Sequence, residues 1–287
     1  GGDILFHGQS DTAGGCASSY ATGLGLYAST ITSNGGNVLL RGSSTGADAG
    51  SDDAGVVLDG TTIDAGTGNV DVFGTGQRDV AGIIANAGSI ASAGGAVLFD
   101  GRSEGGDGVR MDGFGIASGG GDISILGYGD GIGVYAEYAD LDSGGGNIVV
   151  HGEGGTGNGV DMSALLASGG GDISVYGSST DAAGLVFGDG YYAGMTSSGG
   201  DIELEGHGAT GGVALYAGSY GSSAIDSGGG DITVTGTASA AGAIGVYSDG
   251  VDLIGGAGDV TVDGSATSGI GILLANGAGV STTTGAI

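Results

Sequence analysis

No proline, tryptophan or lysine occurs anywhere in this 287-residue chain, and cysteine occurs once. Each absence excludes something. A lone Cys16 permits no internal disulfide. Four arginines (Arg41, Arg78, Arg102, Arg110) against 32 acids give a net charge of −28. Such a surface repels nucleic acid and anionic membranes, both of which are bound through basic patches. It suits cations, a solvated surface or a salty medium. No run of about 20 apolar residues crosses a bilayer as a helix, so no direct membrane insertion is expected. There is no signal peptide and no initiator methionine, so the chain reads as processed or excised from something longer. With only 5 Phe and 11 Tyr, the core must be thin and built from Ile, Val and Leu.

What is abundant is glycine, at 75 residues. Without a period, that content would mean disorder. A period exists. Aligned on the last glycine of a GGD/GGN corner, units begin at Gly2, Gly36, Gly68, Gly95, Gly121, Gly146, Gly171, Gly200, Gly230, Gly258 and Gly285. Two residues after each comes Ile or Val (Ile4, Val38 and so on to Ile287), two later another apolar residue (Phe6 to Val262), and two later glycine (Gly8 to Gly264). Period-2 alternation of this kind makes a half-buried strand. A second motif is glycine followed by an aliphatic residue: Leu26, Val56, Ile83, Val109, Val134, Val160, Leu185, Val213, Val246, Ile272. A third is a single aliphatic position, Ile31 through Val280, always five residues before the next corner glycine.

Three short strands therefore recur per unit, and no segment keeps a helical period. One such coil cannot bury its own apolar face, whereas stacked coils align their columns into a continuous core. The fold expected is all-β: a right-handed parallel β-helix (β-solenoid) with three strands per coil and about ten coils, forming a single domain over 1–287. At roughly 4.8 Å per coil the rod is roughly 48 Å long. Glycine serves corners that need positive φ or close backbone approach, and proline would delete a ladder donor in every coil. Neither end carries a polar capping repeat, so either further coils or end-to-end copies of the chain are expected to cover them.

Chemistry-bearing residues are sparse. Phosphate cradles need glycine turns that open a helix, and here each opens a strand. The calcium nonapeptide repeat does not occur, because "GGDGVRMDG" places its aspartate two residues late. The residue after the corner glycine is usually Asp or Asn, and stacking makes this column a ladder. Its acids Asp172, Asp201, Asp231 and Asp259 are the candidate Ca²⁺ positions; the competing role is a turn cap that accepts a backbone N–H. Connections lengthen in coils 1–2 and again in coils 7–8, where Tyr191, Tyr192, Tyr216 and Tyr220 are the candidate ligand- or partner-binding residues. "GHG" at 206–208 and "DD" at 52–53 are similar to polygalacturonase motifs but lie six coils apart, and no catalytic set converges. The chain is expected not to be an enzyme.

The units "GGGDISILG", "GGGNIVVHG", "GGGDISVYG" and "GGGDITVTG" resemble the repeat regions of large secreted bacterial surface proteins, the filamentous-haemagglutinin-like and autotransporter-like adhesins. The resemblance spans the whole chain. It implies a right-handed β-helix shaft, an extracellular or cell-surface location, and filament building or adhesion, with copies of the chain or cell-surface glycans as partners. The alternative is a carbohydrate-binding or carbohydrate-cleaving β-helix that uses the loops of coils 1–2 or 7–8.

Overall fold

A computed structural model describes residues 1–10, 22–45, 53–188, 193–218 and 223–287. They form an all-β parallel β-solenoid of about eight turns, with no helix among the described residues. Seven-residue strands recur at Ile4–Ser10, Val38–Ser44, Val70–Gly76, Val97–Ser103, Ile123–Gly129, Ile148–Gly154, Ile173–Ser179 and Ile202–Gly208. Each pairs in parallel with the next, and the series continues into two long strands, Ile232–Asp249 and Val260–Ala275. The register follows the alignment on the corner glycine: Ile148 faces Ile173, Val150 faces Val175, and Gly152 faces Gly177.

The third motif also pairs as its spacing predicts, from Ile31 opposite Ile63 to Leu253 opposite Val280. The second motif needs one correction. The sequence alignment sets Leu26 beside Val56, but Leu24 is the partner of Val56, and Leu26 pairs with Leu58. In "GLGLY" either glycine–leucine step satisfies a period of two, and a shift by two residues keeps every side chain on its own face. Packing decides the register. Gly23 is the residue against which Gly8 closes, since a Cβ on Gly8 would lie 2.1 Å from the Gly23 carbonyl oxygen.

The core is a stack of thin aliphatic layers. In one turn Val70, Val72, Ile83, Ala85 and Ile90 are all at most 1 % exposed. Phe99 and Phe114, among the largest fully buried side chains, pack with ring centroids 6.1 Å apart. Each such aliphatic side chain contributes about 1.5–3 kcal/mol by leaving water. At the opposite edge there is no room for side chains. The strand glycines of the first series press against the glycines that begin the second: a Cβ on Gly152 would stand 2.1 Å from the Gly159 carbonyl oxygen. The corner triplet uses its glycines for two reasons. Gly169 and Gly170 have φ of 66° and 122°, and a Cβ on Gly171 would lie 2.2 Å from the Gly146 carbonyl oxygen.

A buried serine closes most corners. Ser118, Ser143, Ser168, Ser197 and Ser227 are all fully buried. Each hydroxyl faces two carbonyl oxygens, one three residues ahead and one in the following turn; for Ser168 these are Gly171 and Ser197. Removing the hydroxyl deletes both bonds, although the Ser197 carbonyl keeps the Gly170 N–H at 2.6 Å. Ser168→Ala is therefore expected to cost about 1 kcal/mol in thermal denaturation, the net worth of a lost hydrogen bond. Ser174→Ala, on the outer face, should stay within about 0.5 kcal/mol of the parent.

Candidate binding face

Alternation sends every second residue of the seven-residue strands outward, and stacking turns those residues into axial columns. Two neighbouring columns carry most of the ring and cation chemistry on this face. Asp100, Leu126, His151, Tyr176 and Glu205 occupy one; Arg102, Tyr128, Glu153, Ser178 and His207 occupy the other. Turns with a cation or histidine beside an acid alternate with turns that carry a tyrosine. Arg102 Nε donates to Asp100 Oδ1 at 3.0 Å, His151 Nε2 lies 3.0 Å from Glu153 Oε1, and His207 Nε2 lies 2.6 Å from Glu205 Oε1.

Along the axis these groups stack. The Arg102 guanidinium sits 4.5 Å from the Tyr128 ring centroid. Tyr128 to His151 is 5.6 Å, His151 to Tyr176 is 4.6 Å with planes 27° apart, and Tyr176 to His207 is 5.8 Å. Only His151 and Tyr176 stack face to face; the Tyr128–His151 and Tyr176–His207 pairs are tilted, at 38° and 53°. Beside the stack run two clefts that share Glu153 and Gly154. One is lined by Arg102, Ser103, Glu104, Tyr128 and Asp130; the other by Ser178, Ser179, Thr180, His207 and Thr237. Hydroxyls and carboxylates line both clefts beside at least as much apolar surface, a mixture that offers hydrogen bonds and apolar contact to the same ligand.

The scarce positive charges are used the same way elsewhere. Arg41 lies 4.8 Å from the Phe73 ring and Arg110 lies 5.7 Å from the Tyr135 ring, each reaching into the following turn. Tyr135 donates to Glu137 Oε2 at 2.6 Å. Burial first, and then this bond to an anion, hold the Tyr135 phenol well above its ordinary value of 10.0. A group whose pKa is raised by folding gives its full stability below the unfolded value and loses it as pH rises through the folded one. Stability should accordingly fall from about pH 10 upward. In a tyrosinate absorbance titration Tyr135 should ionise among the last, and Glu137→Gln should bring its midpoint down.

The sequence-derived candidates fare unevenly. Tyr191, Tyr192 and Tyr220, like Cys16, lie outside the described residues. Tyr216 is half-buried and meets Tyr247 of the next turn edge-on at 5.5 Å. Tyr247 in turn donates to Asp249 Oδ2 at 2.9 Å, and that bond is the main reason its phenol titrates high. Asp172, Asp201, Asp231 and Asp259 stand in one exposed column, as the spacing requires. Each Oδ1 accepts the N–H of the equivalent residue one turn on: Asp201 to Asp172 at 2.9 Å, Asp231 to Asp201 at 2.8 Å, Asp259 to Asp231 at 2.8 Å and Ala286 to Asp259 at 2.6 Å. Asn37, Asn69 and Asn147 make the same bond at 2.9 Å. The acceptor role is a cap, and it reaches into the next turn instead of closing its own. Among the described residues no three His, Cys, Asp or Glu side chains converge as a metal-binding group.

The ring stack itself was not found from the sequence. Its members lie 23 to 31 residues apart and switch between columns, and the available signal was their shared distance from the corner glycine. Fold and face together define a β-solenoid repeat protein. Comparison with known protein families, with characterised proteins and with solved structures returns no match for this chain.

Proposed function

We propose that this chain is a structural, non-catalytic part of an extracellular bacterial filament, sheath or adhesin. In this reading it is an acidic right-handed rod with three strands per coil and about ten coils. Its partners are copies of itself or neighbouring coils of the same chain, and cell-surface glycans. The observation that carries the reading is axial stacking. Arginine on aromatic ring, ring on ring and carboxylate on backbone N–H all join one turn to the next. A solenoid gains stability from such nearest-neighbour terms, which suits a shaft that bears load along its length. Both histidines of the stack have Nε2 beside a carboxylate of their own strand, an arrangement that braces the face. The repeat resemblance to haemagglutinin-like adhesins points the same way.

Negative-stain imaging of native material tests this directly. Fibres or a sheath are the expected result; discrete single particles would count against it. The two joined clefts favour one second reading, in which the face between Arg102 and Thr237 holds a glycan through hydroxyl and carboxylate contacts. A glycan array together with a reducing-end assay separates the two. Binding without cleavage fits an adhesin, and cleavage of any polysaccharide would overturn the structural reading.

A further inference from the structure

We propose that Asn276 is a site of spontaneous deamidation, and that converting this one side chain loosens the turn that holds it. The chain has three Asn-Gly pairs, at 34–35, 158–159 and 276–277. In such a pair the glycine nitrogen can attack the asparagine Cγ, because no side chain on the glycine hinders the approach. The nitrogen loses its proton and bonds to Cγ, the Cγ–Nδ2 bond breaks, and ammonia leaves. The resulting five-membered imide is opened by water at either carbonyl, giving aspartate or isoaspartate. No oxidant or reductant is involved.

The fold treats the three pairs differently. The Gly35 N–H donates to the Ala65 carbonyl at 2.8 Å, so its nitrogen is held in place. Gly159 N–H donates to the Ala183 carbonyl at 3.0 Å, and Asn158 is pinned at both ends: Oδ1 accepts from Ala183 N–H at 3.1 Å and Nδ2 donates to Asp161 at 2.9 Å. Asn276 and Gly277 lie in an exposed turn between Val260–Ala275 and Val280–Thr282, with φ of 51° and 87°. Around them Gly250 N–H and Ala278 N–H both donate to the Ala275 carbonyl, whereas the Gly277 N–H takes part in none of these turn-to-turn bonds. Nothing outside the turn lies within 4 Å of the position a Gly277 Cβ would occupy, so no neighbouring element packs against Gly277 there.

The consequence is electrostatic. Asn276 Nδ2 donates to Asp249 Oδ1 at 2.5 Å, and Asp249 also accepts from Tyr247. Deamidation replaces that donor with a second carboxylate facing the first, and the isoaspartate product adds a methylene to the backbone of the turn.

The test is a time course of the purified chain in mildly alkaline buffer at physiological temperature, read by peptide mass mapping and by an isoaspartate-specific methyltransferase. An attacking nitrogen that need not first leave a hydrogen bond should react roughly tenfold faster, so Asn276 should convert roughly tenfold ahead of Asn34 and Asn158. Equal or slower conversion at Asn276 overturns the assignment. Asn276→Asp should melt below the parent and open the last turns to proteolysis; unchanged melting and proteolysis would overturn the loosening. Should that variant not fold, melting of the aged parent against fresh protein decides the same point.

Discussion

Gly152→Ala is expected to destabilise the chain by about 3 kcal/mol or more, a fall in melting temperature of roughly 6–12 °C. The added Cβ would stand 2.1 Å from the Gly159 carbonyl oxygen and 2.7 Å from Val160 Cγ2. The carbonyl accepts the Val134 N–H of the preceding turn at 3.0 Å, so it cannot swing away as a side chain would. Either the two strands part, which opens the core between Val150 and Val160, or the register is lost. Because a solenoid is held by nearest-neighbour terms, the damage should begin locally. Amide exchange should accelerate first around residues 148–160. Gly113→Ala is the control. Gly113 has φ of 59° but nothing within 4 Å of its missing Cβ, so alanine there meets only backbone strain, about 1–2 kcal/mol. If the two variants melt alike, backbone contact across the pinched edge is not what glycine is needed for.

Replacing Asp172, Asp201, Asp231 and Asp259 together by asparagine is expected to stabilise the protein at low salt. At a rung spacing of about 4.8 Å, neighbouring carboxylates repel by about 0.9 kcal/mol even in water. The amide keeps the Oδ1 acceptor, and Asn37, Asn69 and Asn147 already cap the next turn at the same distance as the acids do. A neutral acceptor is weaker than a charged one, which offsets part of the gain and leaves about 1–2 kcal/mol. The gain should vanish near 1 M salt, where the screening length shrinks to about 3 Å. Asp201→Ala, which deletes one acceptor along with one charge, should instead lose about 1 kcal/mol near 1 M salt, and less at low salt, where the relieved repulsion from Asp172 and Asp231 offsets the lost bond. A calcium-dependent ladder would behave in the opposite way. The asparagine variant would melt lower than the parent, and EDTA would abolish the difference by lowering the parent, by roughly 10 °C for a tightly bound ion. Unchanged melting of the parent in EDTA is the outcome expected here.

The parallel solenoid was legible because its signal repeats. Ile31 to Val280 and Ile4 to Val260 hold their spacing from the corner glycine in every unit, and the pairing follows that spacing residue by residue. A single aliphatic alternation says little, but one repeated in fixed phase with a glycine corner selects stacking over every other way of burying it. Where two registers satisfy the same alternation the signal fails, as it does for Leu24 and Leu26. The roles of the outer residues were also hidden. Asp172 and its column are evident by position, yet whether a carboxylate caps its own turn or the next depends on rotamer and rung spacing. The stack from Arg102 to His207 needs two columns to be adjacent in space, which only the strand pairing brings about.

By itself, then, the sequence determined the strand period, the stacking and the identity of each inward column, because these follow from local alternation repeated in phase. The tertiary structure decided what crosses between turns: which glycine meets which carbonyl, that serine hydroxyls bridge two buried carbonyls at the corners, that rings stack on rings, and which Asn-Gly pair keeps a free nitrogen. Contacts such as Ser168 with Ser197, Asp201 with Asp172 and His151 with Tyr176 join residues 25 to 29 positions apart, where a shift of one atom's width makes or removes a bond. Alternation places a side chain on a face, and only the packed neighbour fixes what it touches.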